Sequence, residues 1–226
     1  MDDMRSQILA FYGRCADDKH HRYRSWEHCF GYFRNRRALD HDTAALHLAF
    51  YLASWGMYRG SSALLWKDYK IHKPAIAKLL EEKFKPLWNL RFDDASNDQT
   101  TADLIVSLSH DLKTTYQKQI TTVDGKPRAK FQPSEILVTK ILLGTVGCTP
   151  AYDRFFIDGF RSTSLGYSRF GSRFLGKVFQ FCRTHKVALL KIQDKIYSKG
   201  GTRYPMMKLV DMYFWELGSR RAARRR

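Results

Sequence analysis

Residues 140–153 read KILLGTVGCTPAYD, and this stretch decides how the surrounding chain is expected to fold. An apolar run ends at Gly144 and a second glycine follows at Gly147, so the backbone can turn sharply between them. Thr149 followed by Pro150 is a typical helix start, with threonine as the N-cap and proline in the first turn. The stretch therefore predicts two helices joined by a tight turn, with the second helix beginning at Pro150.

Helical patterns extend outward from this turn over most of the chain. Apolar residues at helical spacing, with helix breakers between the runs, predict helices over residues 5–13, 20–37, 43–55, 74–84, 98–120, 136–143, 150–160, 174–197 and 205–215. The helix 43–55 is apolar on almost every side, which is typical of a helix at the centre of a core. Strands are expected to be minor, because few stretches alternate with period two.

These helices predict an all-α fold. We expect one compact multi-helix domain over residues 1–218, or two helical lobes, 1–120 and 133–218, around a cleft. Gly218 is expected to end the last helix, and the basic segment 219–226 is expected to be a disordered tail. We expect the protein to be a monomer.

The chain is strongly basic. It has 39 lysines and arginines against 22 aspartates and glutamates, which gives a formal net charge of +17 over 226 residues. Such a charge repels itself, and a polyanion relieves the repulsion because each neutralised phosphate releases counterions. Nucleic acid is therefore the expected partner. The alternative is a basic surface that serves only solubility.

Several classes of protein are excluded by what the sequence lacks. The four cysteines contain no Cys-x-x-Cys pair, so we expect reduced, mostly buried thiols in a cytoplasmic protein. The first residues lack the charged-then-apolar pattern of a secretory signal, and no apolar run reaches the ~18 residues of a membrane span. There is no zinc-ligand spacing, no phosphate-binding loop and no Gly-x-Ser-x-Gly motif, so we expect no metal and no cofactor.

The turn between Gly144 and Gly147 resembles the helix-hairpin-helix element of DNA glycosylases, whose hairpin reads roughly Leu-Pro-Gly-Val-Gly. Leu143, Val146 and Gly147 match that pattern, whereas Gly144 and Thr145 stand where the family has proline and the first glycine. The resemblance implies an all-α enzyme that binds double-stranded DNA and excises a damaged or modified base by cleaving an N-glycosidic bond. Bacterial anti-phage glycosylases that remove hypermodified cytosines are one similar subgroup.

The resemblance also implies a catalytic aspartate beyond the hairpin, near the start of the next helix, where this chain has no acid. An acid is still required, because cleavage builds positive charge on the sugar, which a carboxylate stabilises while it orients or deprotonates water. Asp153, Asp158 and Asp42 are the candidates, although each is also typical of a helix end or surface. A minor lyase activity through Lys208, which can pair with Asp211 one helical turn away, is a further alternative.

The phosphates of nucleic acid are expected to contact the hairpin and a basic loop, 161–173, that is rich in hydroxyl and aromatic residues. The expected nucleic-acid-binding residues are Lys140, Gly144, Gly147, Thr149, Arg161, Arg169, Arg173 and Lys177. The segment 20–26 has the same mixture of basic and aromatic residues. The alternatives are a corner packed in the core for the hairpin and a solvated loop for 161–173.

A base pocket is expected in the segment 55–62. Trp55, Tyr58 and Arg59 lie among glycines after the apolar helix, and they supply the stacking surface and polar contacts that a flipped base requires. The alternative is a structural corner in which Arg59 pairs with a carboxylate. Two other functions stay open, namely a non-catalytic DNA- or RNA-binding module and a helical scaffold for an acidic protein.

Overall fold

The fold is built almost entirely from helices, which confirms the predicted all-α class. The computed structural model describes residues 2–35, 39–128 and 131–224. Its α-helices are α1 (Asp2–Asp17), α2 (Ser25–Arg34), α3 (His41–Ser54), α4 (Lys73–Leu79), α5 (Asp98–Gln119), α6 (Glu135–Gly144), α7 (Arg154–Arg161), α8 (Ser172–Thr184), α9 (Lys186–Gly200) and α10 (Met206–Ala223). Shorter 3-10 helices occupy Arg22–Arg24, Ala63–Trp66, Tyr69–His72 and Glu82–Asn89. Strands β1 (Thr122–Val123) and β2 (Lys126–Pro127) form one small antiparallel hairpin.

Side chains with an oxygen acceptor cap the beginnings of two of these helices. Asp40 accepts a hydrogen bond from an amide in the first turn of α3 (2.7 Å), and Ser134 accepts one in the first turn of α6 (3.1 Å). Each bond satisfies an amide that has no partner inside its helix. Asp124 and Gly125 form the turn between β1 and β2, and both residues have positive φ.

The helix after the tight turn begins later than predicted. α7 starts one residue after its N-cap, Asp153, so the prediction of a helix from Pro150 capped by Thr149 is wrong. Residues 145–153 are not helical. Within this segment the amide of Ala151 donates a hydrogen bond to Asp211 of a distant helix (3.0 Å), and the capping role falls to Asp153.

Other predicted helix limits also differ from the structure. The single helix predicted over 174–197 is divided into α8 and α9 at His185, whose ring packs against Phe181 with centroids 4.4 Å apart. The helix predicted over 74–84 ends at Leu79. The helix predicted over 20–37 begins only at Ser25, after a 3-10 turn.

α7 and α10 cross with their backbones in contact. A Cβ atom at Gly159 would overlap the carbonyl oxygen of Phe214, and a Cβ atom at Gly218 would overlap the carbonyl oxygen of Phe155. Gly218 therefore does not end the last helix, as the sequence predicted. It lets α10 pass close to α7 and continue for another turn.

The basic end of the chain is partly an extension of α10. Residues 219–223, which belong to the predicted disordered tail, form the end of this helix. The two final residues, Arg225 and Arg226, lie outside the described residues.

The core surrounds α6. Its residues 137–144 are all buried, and α2, α3 and α5 pack around them. The sequence predicted that α3 lies at the centre of the core. One side of α3 is open to solvent instead, since Leu46 and Phe50 are 48% and 60% exposed. All four cysteines are buried and free, which agrees with the prediction. No helix within residues 2–35, 39–128 and 131–224 is both long and apolar enough to cross a membrane.

The first helix packs against the last ones. α1 contacts α9 and α10, and α10 in turn contacts α7. The start of the chain, the segment 145–153 and the last helix therefore meet in one region, which contains the candidate site.

Candidate active site

The chain is buried continuously from residue 137 to residue 152, which covers most of α6 and the tight turn after it. A Cβ atom at Gly144 would overlap the ring of Tyr51, and one at Gly147, whose φ is +74°, would lie 2.8 Å from the ring of Phe30. Glycine is therefore required at both positions by the packing of aromatic rings. In this conformation the turn matches the alternative considered above, a corner packed in the core.

Half of the expected nucleic-acid-binding residues are consequently inaccessible. The buried ones are Lys140, Gly144, Gly147 and Thr149. Because protein atoms surround them, they cannot contact a phosphate in this conformation, which corrects that expectation. Arg161, Arg169 and Arg173 are exposed, whereas Lys177 is half-buried and donates a hydrogen bond to the carbonyl of Leu165 (2.6 Å).

Asp153 lies at the junction between α6 and α7. One carboxylate oxygen accepts a hydrogen bond from the amide of Phe156 (3.0 Å), and the other lies 3.7 Å from Nζ of Lys140. The side chains of Asp153 and Lys140 are only 13% and 7% exposed. Burial raises the pKa of Asp153, which Lys140 opposes, and burial lowers the pKa of Lys140. A mostly buried acid with a raised pKa is typical of functional sites.

A second lysine–aspartate pair lies in the same electrostatic environment. Nζ of Lys208 donates a hydrogen bond to Asp211 (2.9 Å), and both side chains are 2% exposed, so the predicted local pair is confirmed. Asp211 and Lys208 both perturb the pKa of Asp153 through their charges. We call Lys140, Asp153, Lys208 and Asp211 the buried Lys–Asp cluster. Two positive and two negative groups offset one another, as burial of charge requires.

Aromatic rings from four parts of the chain pack together beside this cluster. Tyr23 and Trp55 stack with ring centroids 4.5 Å apart, and Phe11 stacks on Tyr23 at 5.5 Å. Trp215 meets Tyr23 edge-on at 6.1 Å. Phe11 is buried, whereas the other three are partly exposed. We call these four residues the aromatic platform. Nζ of Lys208 lies 4.7 Å from the centroid of Trp55, a distance typical of a cation–π contact.

Lys140 connects the aromatic platform to the acid. Its Nζ donates a hydrogen bond to the carbonyl of Trp55 (2.9 Å) as well as lying beside Asp153. Nε1 of Trp55 is buried and has no acceptor among the described residues. A buried donor without an acceptor is unusual in a folded protein. Trp55 is therefore linked to Asp153 through the amine of Lys140.

Tyr58 does not join Trp55 in one pocket. Its hydroxyl shares a hydrogen bond with Nε2 of His72 (2.7 Å), and Nδ1 of His72 shares another with the hydroxyl of Tyr116 (2.6 Å). Burial lowers the pKa of His72 to about 3, so its ring is neutral at pH 7. Tyr58 thus belongs to an interior hydrogen-bonded chain between α4 and α5.

Arg59 lies in the turn that follows Trp55, against Gly56. It forms no ion pair with a described carboxylate, and its guanidinium lies over the backbone of Gly56. A cavity of about 540 Å³ opens beside it, lined also by Arg128, Phe131 and several hydroxyl residues. The described lining contains no carboxylate. Two arginines beside an aromatic ring suit an anionic ligand with a planar group.

The other two candidate acids lie apart from Trp55. Asp42 is at the beginning of α3, where an ion pair with Lys73 (2.9 Å) lowers its pKa. Because Trp55 follows the end of the same helix, the two are separated by about 20 Å. Asp158 is one-third exposed on α7, 3.8 Å from Nε of Arg154. Of the three acids, Asp153 is the one beside Trp55. Among the described residues, no three acidic, histidine or cysteine side chains are grouped so as to hold a metal ion.

Sequence reasoning missed three members of the aromatic platform, Phe11, Tyr23 and Trp215. Tyr23 lies in the basic, aromatic segment 20–26, and that composition was the available signal. Phe11 and Trp215 look like ordinary apolar positions of α1 and α10, and they reach the site only because these helices pack together. Comparison with models of protein families, with curated proteins and with solved structures finds no match to this chain, so its site is interpreted from its own geometry.

Proposed function

We propose that this chain binds DNA and excises a damaged or modified base by cleaving its N-glycosidic bond. The observation that carries the proposal is the link from Asp153 through Lys140 to Trp55, with distances of 3.7 and 2.9 Å. The sequence suggests an acid at Asp153 and base stacking at Trp55 from two distant segments, and both residues contact the same lysine. An excision enzyme requires these two groups together, because the base must be held while its bond to the sugar breaks.

The aromatic platform supplies the surface for the base. Tyr23 and Trp55 have nearly parallel rings that are partly open to solvent. A base that leaves the duplex loses its stacking partners, and stacking on an aromatic side chain restores about 1–3 kcal/mol. Nε1 of Trp55 is buried and lacks an acceptor among the described residues, so the base is held by the ring faces and not by this donor.

Asp153 supplies the chemistry. As the base departs with the bonding electron pair, positive charge develops on the sugar, and a nearby carboxylate stabilises it. Water then adds to the anomeric carbon and gives a proton to the carboxylate, while the departing base takes up a proton from solvent. The raised pKa of Asp153 makes it the stronger base for this step.

The lysines of the buried Lys–Asp cluster act on Asp153 rather than on the substrate. Lys140 favours the charged form of Asp153 and fixes its position relative to Trp55. Lys208 is tied to Asp211 and 2% exposed, so it does not present a free amine to the sugar. Water is therefore the proposed nucleophile, and lyase activity through Lys208 would require this pair to separate.

The exposed loop 161–173 supplies contacts to the DNA backbone. Arg169 and Arg173 are exposed and form no ion pair with a described carboxylate. Arg161 lies over the ring of Tyr167, with 4.0 Å between its guanidinium carbon and the ring centroid. Guanidinium groups beside exposed aromatic rings contact phosphates and stack on bases.

The proposal is tested with duplexes that carry unmodified, deaminated, alkylated or glucosylated bases. Base release is measured as strand breaks after alkali treatment, together with chromatography of the freed base. We expect release from at least one modified duplex and none from its unmodified counterpart. Binding to every duplex without release from any of them would reject the enzymatic function.

The second candidate is a non-catalytic DNA- or RNA-binding module. It is favoured by the closure of the buried Lys–Asp cluster, whose two most exposed members are 13% and 7% accessible. Under this alternative the cluster only stabilises the fold, and the exposed arginines alone bind the polymer. Substitution of Asp153 would then lower stability but leave no excision activity to lose.

A further inference from the structure

A small cationic depression lies where α7 and α10 cross. It has a volume of about 340 Å³ and is lined by Arg154, Phe155, Asp158, Arg161, Ser162, Arg221 and Ala222. We propose that its three arginines bind a phosphate of the DNA strand whose base lies on the aromatic platform. The phosphate class of ligand follows from this depression alone, whereas its assignment to DNA rests on the proposed function.

Positive charge in the depression exceeds negative charge. Asp158 is the only carboxylate that the described residues contribute to its lining, and Nε of Arg154 lies 3.8 Å from it, a loose ion pair. Arg221 forms no ion pair with a described carboxylate. The neighbouring Arg220 pairs with Glu216. Converging guanidinium groups repel one another, and a phosphate relieves the repulsion through bidentate hydrogen bonds.

The arginines are held on a rigid support. Arg154 and Arg161 are the first and last residues of α7, and Arg221 is on α10. Gly159 and Gly218 let these two helices touch backbone to backbone, so their separation cannot vary without breaking the crossing. The positions from which the three side chains extend are therefore fixed, which reduces the entropy lost when a ligand binds.

The depression adjoins the aromatic platform. Phe155 lines the depression and meets Trp215 edge-on, with ring centroids 5.1 Å apart. Trp215 in turn contacts Tyr23 at 6.1 Å. A strand that places a base against Tyr23 and Trp55 can therefore place one of its phosphates among the arginines.

The experiment compares two double variants that remove the same charge. Arg161→Gln with Arg221→Gln alters the depression, and Lys191→Gln with Lys199→Gln removes two exposed lysines of α9 that form no described ion pair. Duplex affinity is measured over a range of salt concentrations. We expect the arginine variant to make the plot of log affinity against log salt shallower by about one for each lost phosphate contact. The lysine variant should change that slope by less than half as much.

Pyrophosphate provides a second measurement that does not depend on DNA. We expect the unmodified protein to bind it, as followed by calorimetry, the arginine variant to lose this binding, and the lysine variant to keep it. Asp158→Asn should strengthen both pyrophosphate and duplex binding, because it removes the carboxylate from the depression. Equal salt slopes in the two double variants would overturn the proposal, as would pyrophosphate binding by a protein that binds no duplex. Absence of base release from a duplex that still binds through these arginines would reject the enzymatic function alone.

Discussion

At the scale of single residues, Asp153 is tested by removing its charge while keeping its shape. Asp153→Asn should lower the rate of base release by about 100-fold or more, since an amide stabilises the sugar cation poorly and cannot take a proton from water. Binding to the duplex should persist, because Asp153 is mostly buried and its carboxylate lies beside Lys140. Single-turnover release and gel retention measure the two effects separately.

The matched control is Asp42→Asn, which removes the carboxylate at the far end of α3. Asp42 is bound to Lys73 on the surface, so its loss should leave base release near the original rate. If Asp42→Asn abolishes release while Asp153→Asn does not, the acid has been assigned to the wrong residue.

His72 predicts a dependence of stability on pH. Its folded pKa of about 3 lies below the ordinary 6.5, because burial disfavours the charged ring. The unfolded chain therefore takes up a proton at His72 as pH falls below 6.5, and the folded chain does not, so stability is lost in that direction. Between pH 6.5 and 5 the loss should be about 2 kcal/mol from this residue.

The pH effect is measured by urea denaturation of the original protein and of His72→Gln. The variant is expected to be less stable at pH 7, because the hydrogen bonds to Tyr58 and Tyr116 are disturbed. Its free energy of unfolding should nevertheless vary less between pH 6.5 and 5. Parallel pH curves for the two proteins would show that the folded chain protonates His72 normally.

At the scale of elements, the crossing of α7 and α10 is the contact most sensitive to a single methyl group. Gly218→Ala should lower the free energy of unfolding by about 3 kcal/mol, because its Cβ would overlap the backbone of Phe155 and force the helices apart. The control is Gly176→Ala in α8, whose Cβ would meet nothing within 4 Å. That substitution should be neutral or stabilise the protein by about 0.5–1 kcal/mol, since alanine favours a helix. Similar midpoints of urea unfolding for both variants would contradict the backbone contact.

Helices with strong local signals were predictable, and helix ends set by distant residues were not. Asp40 and Ser134 cap α3 and α6, and such caps can be read from sequence because an N-cap acts within its own turn. Thr149 followed by Pro150 carries an equally good local signal, yet Asp211, on α10, binds the amide of Ala151 and α7 is capped by Asp153 instead. Gly218 has the local signal of a helix end. Its actual role, the close approach of α10 to α7, depends on a distant helix and cannot be read from nearby residues.

The candidate site was predictable in its residue types but only partly in its membership. The sequence proposed Asp153 and Trp55 but could not show that Lys140 links them, since the turn after Trp55 and the end of α6 meet only in the folded chain. Tyr58 has the composition of a base-pocket residue, and only the fold reveals that His72 holds its hydroxyl in the interior.

At the scale of the whole molecule, helices of the segment 1–120 pack against helices of the segment 133–218. α1 contacts α9 and α10, so the first helix of the chain covers apolar surface of the last ones. We therefore expect fragments 1–120 and 133–224, expressed separately, to lack cooperative thermal unfolding, because each exposes the surface that the other buries. Circular dichroism and calorimetry measure this.

The control for the fragments is the full chain cut at the exposed turn Asp124–Gly125, between β1 and β2. Both pieces are then present after folding, and the cut chain should retain one cooperative transition. Independent transitions in the separate fragments would show that the chain contains two autonomous domains.

Asp211 supplies the segment before α7 with a hydrogen-bond acceptor from within the protein. Its carboxylate accepts the hydrogen bond of the Ala151 amide, so that amide needs no bound anion as its partner. The backbone there is consequently preorganised before any nucleic acid arrives. The deuterium uptake of Ala151 should therefore be equally slow in the free protein and in its complex, whereas the amide of the exposed Arg169, which has no described acceptor, should become protected only in the complex.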